Sequence, residues 1–227
     1  NPDYKVVILN FENIKEYTDI DFKKLKHADI VQRIADFVRI EILSKYGGIW
    51  MDITISLNKP LDWIHKYQVA ENSEVVVYYI DAFTSNKYPV IENWFIASVP
   101  NSKFIKDWRD EFFNINNFDT ITKYIKYLEK SGIDLQRIDS KIYLTMHCSC
   151  QKVLQDKKSE YQKSKYKISY LKAEDGPFLY NSVTDWVLPI NIISYKYNKK
   201  LHSPLVKFRG RERFVSEKFH NIGFDVL

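Results

Sequence analysis

The run Val75-Val76-Val77-Tyr78-Tyr79-Ile80 shows no alternation between apolar and polar residues. A strand with one wet face alternates, so this run reads as a central strand covered on both faces. Such cover takes helices, and segments of helical period surround it. Between Ala28 and Tyr46, Val31, Ile34, Ala35, Val38 and Ile42 recur at three- and four-residue steps, which predicts an amphipathic helix. Its polar face holds Asp29, Arg33, Asp36 and Arg39, and the pair Gly47-Gly48 ends it with a left-handed cap. A second helix is expected to open at Asn58 and Pro60, and a third after Ser102 with Phe104, Ile105, Trp108 and Phe112. Others are expected over 120–130, stopped by Gly132, and from Ser140 to Gln155. Lys5–Leu9, Ile49–Ile55 and Trp94–Ala97 read as further strands. Strand and helix in alternation predict an α/β fold with a mostly parallel central sheet flanked by helices.

Composition narrows the function classes. Of 227 residues, 45% are hydrophobic and 28% charged, a globular balance. No repeat or linker divides the chain, so one domain over 1–227 is expected. No apolar stretch reaches the ~18 residues of a membrane-spanning helix. Cys148 and Cys150 are one residue apart and have no second pair, which gives neither a disulfide framework nor a zinc site. A reducing, cytoplasmic setting is the expectation. The net charge of +5 is unevenly spread, with seven lysines between Lys152 and Lys172 and seven Lys or Arg between Lys196 and Arg213. These read first as solvated faces. Their second reading is a basic strip toward phosphates or the inner face of an anionic membrane, that is, peripheral membrane association. No nucleic-acid-binding signature accompanies the charge. No glycine-rich phosphate loop supports a phosphoryl or nucleotidyl transferase.

In α/β sheets ligands bind beyond the carboxyl ends of strands. That directs attention to Asp52-Ile53-Thr54, which follows Ile49-Trp50-Met51. A carboxylate leaving an apolar strand needs a partner or a purpose. On the preceding helix Asp36 and Arg39 stand three apart, side by side. Alone they read as an ordinary surface ion pair, contributing well under ~1 kcal/mol. His147 falls on the apolar side of its helix and reads as a core histidine. Asp175, in Glu174-Asp175-Gly176-Pro177, reads as a turn residue nearly as readily as a functional carboxylate.

Residues 36–54 run Asp-Phe-Val-Arg-Ile-Glu-Ile-Leu-Ser-Lys-Tyr-Gly-Gly-Ile-Trp-Met-Asp-Ile-Thr. This resembles the Asp-x-x-Arg … Gly-Gly-(Ile/Val)-(Tyr/Trp)-x-Asp-x-(Asp/Thr) signature of sugar-nucleotide-dependent glycosyltransferases of GT-A fold. Within them it is most similar to the capsular polysaccharide synthesis family. Lys59-Pro60-Leu61-Asp62, Asn93-Trp94-Phe95-Ile96-Ala97 and Asp175-Gly176-Pro177 follow in the family's order. The resemblance implies a GT-A, Rossmann-like domain that moves a sugar from a nucleotide-sugar donor to a hydroxyl of a surface glycan, with retention of configuration. The acceptor would be a glycan or lipid-linked glycan of capsule or lipopolysaccharide type. It implies catalytic roles for Asp52, Asn93 and Asp175. Donor contacts fall to Asp36, Arg39, Gly47, Gly48, Trp50, Thr54, Trp94, Lys196 and His202. It further implies Mn²⁺ or Mg²⁺ at Asp52, with Thr54 and His202 as further ligands.

Two departures stand out. Thr54 occupies the place of the wider superfamily's second aspartate, and a hydroxyl is a poorer ligand for a hard divalent cation. By the same resemblance the chain is expected to enter after the usual first GT-A strand and helix, with Val6–Leu9 matching the second strand. Two alternatives carry the same segments. One is a toxin-like transferase acting on proteins; the other is a catalytically silent sugar-binding or scaffold protein.

Overall fold

Val75–Tyr79 (β3) is an interior strand, as its unbroken apolar run requires. The computed structural model describes residues 3–83, 88–156, 166–187, 203–210 and 212. Before β3 come α1 (Val31–Tyr46), β1 (Gly48–Met51), β2 (Ile55–Leu57) and α2 (Asp62–Ala70). After it come β4 (Ile91–Ser98), α3 (Lys103–Phe113), α4 (Ile121–Lys130), α5 (Thr145–Gln155), β5 (Ile168–Lys172), α6 (Leu179–Ser182) and β6 (Leu205–Lys207). Four strands form a sheet of order β1-β4-β3-β5, and β2 pairs with β6 in a two-stranded sheet.

The expected parallel sheet is corrected to a mixed one. β4 runs against both β1 and β3, and β2 against β6; among the described strands β3 and β5 are the one parallel pair. Parallel neighbours need a long crossover, which α3, α4 and α5 supply between β3 and β5. Between β3 and β4 the described residues hold no α-helix, so the chain returns antiparallel. Successive β3 residues then face opposite ways. Val75 and Val77 pack with Phe37, Phe104, Trp108 and Leu154 on one side. Val76 and Tyr78 pack with Ile64, Trp94 and Phe95 on the other. Both faces are covered, as the sequence pattern predicts.

Other expectations shift. Residues 5–10 take no regular structure, and Val6 and Ile8 are exposed. A strand exists by pairing, and no described sheet edge takes up this segment. The second helix starts at Asp62 rather than at Asn58, because Asn58 bonds the 203–204 segment, through its amide to the Pro204 carbonyl at 2.9 Å and its side chain to the Ser203 carbonyl at 3.1 Å. The fifth helix begins at Thr145, Ser140 having a left-handed backbone (φ 50°).

Helix α1 begins at Val31 and turns its supposed polar face inward. Arg33, Asp36 and Arg39 are buried beside Phe37, Val38, Ile40 and Leu43, while Val31 is 64% exposed. Spacing tells which residues are apolar but not where polar partners wait. The buried arginines have such partners: Arg33 bonds Asp29, the His27 carbonyl at 3.3 Å and the Ile142 carbonyl at 3.2 Å.

Candidate functional site

The turn from α1 to β1 sets the site. Gly47 has φ +65°, and a Cβ there would lie 2.5 Å from the Pro100 nitrogen and 2.7 Å from the Ser98 carbonyl oxygen. Only glycine permits that approach in that conformation. From the turn, helix back to Arg39 rises about 10 Å, and strand forward to Asp52 spans about 13 Å. The two side chains therefore arrive at one level. Arg39 Nη1 pairs with Asp36 Oδ1, and Nη2 donates to Asp52 Oδ1 at 3.1 Å.

Four further side chains close around this pair. The Arg39 guanidinium lies over the Trp50 ring, 5.0 Å from its centroid, and Trp50 Nε1 donates to Asp52 Oδ1 at 3.2 Å. Asn93, from β4, donates to Asp36 Oδ1 at 2.9 Å. The β2–β6 pairing sets Lys207 opposite Ile55. Lys207 Nζ donates to Asp52 Oδ2 at 3.3 Å and to Thr54 Oγ1. Met146 of α5 places its sulfur 3.5 Å from Arg39 Nη1. The Arg39 side chain is 5% accessible, Lys207 12% and Asp52 30%, so the cluster grades from core to solvent. Burial pushes the Asp36 carboxyl up from its ordinary range; Arg39 and His147 oppose that shift, and Asp52 adds to it.

The expectation of a weak surface pair at Asp36 and Arg39 is thus overturned. Asp36, Arg39, Trp50, Asp52, Thr54 and Asn93 come together, and Gly47 and Gly48 shape the turn that presents them. Trp94 goes elsewhere: it is buried, stacked on Tyr78 at 5.4 Å and edge-on to Phe178 at 5.5 Å, with Nε1 bonded to Glu92 at 2.6 Å. Asp175 is exposed in a one-turn helix, and no hydrogen bond or ion pair among the described residues joins it to the cluster. Its segment adjoins the site through the Pro177 carbonyl, which accepts from the Lys207 amide at 3.0 Å. Lys196 and His202 lie outside the described residues. His147 is buried as expected, with Nε2 3.9 Å from Glu92 Oε2 and Nδ1 lacking a hydrogen-bond partner among the described residues.

Sequence reasoning missed Lys207. It counted the residue within a basic stretch, although Leu205-Val206-Lys207-Phe208 is an apolar run interrupted by one cation, which was the available signal.

The sequence model of the capsular polysaccharide synthesis protein family matches residues 1–182. The chain belongs to this family. It finds no match among curated proteins or solved structures. Membership supports a role in capsule biosynthesis. The matched segment contains every cluster residue except Lys207. Among its described residues no helix is long and apolar enough to cross a membrane.

The donor set around Asp52 does not fit a divalent cation held by the protein. Asp52 Oδ1 already accepts from Arg39 and Trp50, and Oδ2 and the Thr54 hydroxyl face the Lys207 ammonium. Among the described residues no group of three or more His, Cys, Asp or Glu is arranged to hold a metal ion. A cleft of about 580 Å³ opens elsewhere, between α3 and α5, lined by Asp107, Glu111, Lys152 and Tyr166 among others, and no cluster residue lines it.

Proposed function

We propose that this member of the capsular polysaccharide synthesis family is a nucleotide-sugar-dependent glycosyltransferase of GT-A type. It transfers one sugar to a hydroxyl of a capsular or lipid-linked glycan. One observation carries the reading: a buried guanidinium shared by Asp36 and Asp52 where β1 ends, beside a second cation at Lys207. Such a transfer piles negative charge on the departing diphosphate and positive charge on the anomeric carbon. Pre-set cations stabilise the first, and carboxylates tolerate the second.

Each residue then has a task. Arg39 and Lys207 face the diphosphate. Asp36, braced by Asn93, fixes the guanidinium fork. A carboxylate offers about four lone-pair sites. Asp52 uses three on Arg39, Trp50 and Lys207, which leaves one for a sugar hydroxyl. The C1–O bond to the diphosphate breaks with its electron pair staying on the phosphate oxygen. The acceptor oxygen bonds C1 on the same face, and its proton passes to that phosphate oxygen. Configuration is retained, and no separate base is required.

The test is hydrolysis of a panel of UDP- and GDP-linked hexoses without acceptor. Release of nucleoside diphosphate from at least one donor is the expected result. Absence of both hydrolysis and calorimetric binding across the whole panel would overturn the reading.

A further inference from the structure

We propose that the Lys207 ammonium holds the place, between Asp52 and Thr54, where a divalent cation was expected, so that the diphosphate is bound without a metal ion. This deepens the glycosyltransferase reading and rests on it. Charge balance gives the first argument. Two aspartates at positions 52 and 54 would match a divalent ion, whereas Asp52 with the neutral Thr54 carries one negative charge, which one ammonium balances. Geometry gives the second. Nζ lies 3.3 Å from Asp52 Oδ2 and bonds Thr54 Oγ1 as well, so the ammonium spans the two oxygens a metal ion would need.

Rigidity gives the third. The Lys207 backbone is fixed on both sides, by its amide to the Pro177 carbonyl at 3.0 Å and by the Phe208 amide to the Thr54 carbonyl at 2.9 Å. The side chain is 12% accessible, unlike a surface lysine free to swing away. A cation held so firmly does at no reorganisation cost what a bound metal does for a leaving phosphate. A divalent ion at the same oxygens would have to displace it against like-charge repulsion.

Two measurements on the whole chain decide the matter. In the first, inorganic pyrophosphate is titrated calorimetrically in the presence of EDTA. The wild type is expected to bind, Lys207→Met to bind at least ~10-fold more weakly, and Lys207→Arg to retain binding. The Met variant keeps the aliphatic stem, and circular dichroism checks that it folds. In the second, MnCl₂ alone is followed by electron paramagnetic resonance, and the wild-type protein is expected to leave the free-ion signal undiminished. Equal pyrophosphate binding by wild type and Lys207→Met would overturn the proposal. So would one bound Mn²⁺ that disappears in Asp52→Asn. Turnover of a nucleotide sugar that requires Mn²⁺ would sink this inference and spare the transferase reading. Metal-free pyrophosphate binding through Lys207 with no donor bound or turned over would do the reverse.

Discussion

Arg39 serves two carboxylates from two elements, and only a forked cation can. Its Nη1 meets Asp36 and its Nη2 meets Asp52, while the plane of the group lies on Trp50. A lysine offers one compact point charge and no plane. Arg39→Lys is therefore expected to weaken donor binding at least ~10-fold in calorimetry, while circular dichroism stays native. Asp36→Ala tests the other end of the pair. Removing Asp36 leaves the buried guanidinium with Asp52 as its remaining carboxylate and takes from Asn93 its acceptor oxygen, a loss of about 1.5–3 kcal/mol. Urea unfolding should show this as a lower midpoint. A change under ~1 kcal/mol would mean that the pair behaves as a surface one after all.

At the level of elements, the turn between α1 and β1 tolerates little change at Gly47. Gly47→Ala combines a left-handed backbone with a Cβ inside contact distance of the Pro100 backbone. A loss of about 2 kcal/mol or more is expected in urea unfolding. Gly48 also has positive φ (91°) but nothing within 4 Å of a Cβ, so Gly48→Ala should be milder. The existence of these elements was legible in the sequence because it depends on local pattern. Val75–Tyr79 needed only its lack of alternation, and Gly47 needed only its place after the last helical residue. Strand direction was not legible, since it depends on which neighbour β4 pairs with. Nor was the facing of α1. Arg33, Asp36 and Arg39 look like solvent residues until the Ile142 carbonyl, Asn93 and Asp52 are seen to approach them from outside the helix. The site was legible where its residues lie close together, over 36–54. It was not legible at Lys207, which joins through strand pairing with β2, 153 positions beyond Thr54.

Across the whole molecule, groups that burial keeps neutral set the response to alkali. Burial pushes the Cys148 thiol up to about 12 and Cys150 well above its ordinary value, and it raises the Tyr78 and Tyr124 hydroxyls. Each holds its proton more tightly folded than unfolded. Their contribution to stability is therefore complete below the unfolded values of 9.0 for Cys and 10.0 for Tyr, and it is lost as pH rises beyond them. The urea midpoint should fall steadily from about pH 9 toward pH 12, and a Cys148→Ala, Cys150→Ala double variant should fall less steeply. By the same burial, both thiols should resist a disulfide-exchange reagent at pH 8 until the chain unfolds. The chemistry assigned to the molecule rests on the carboxylate that follows β1. Nucleoside diphosphate release from the best donor, compared between wild type and Asp52→Asn at matched folding, tests it most directly. The account predicts a drop of ~10²-fold or more; release at the wild-type rate would contradict it.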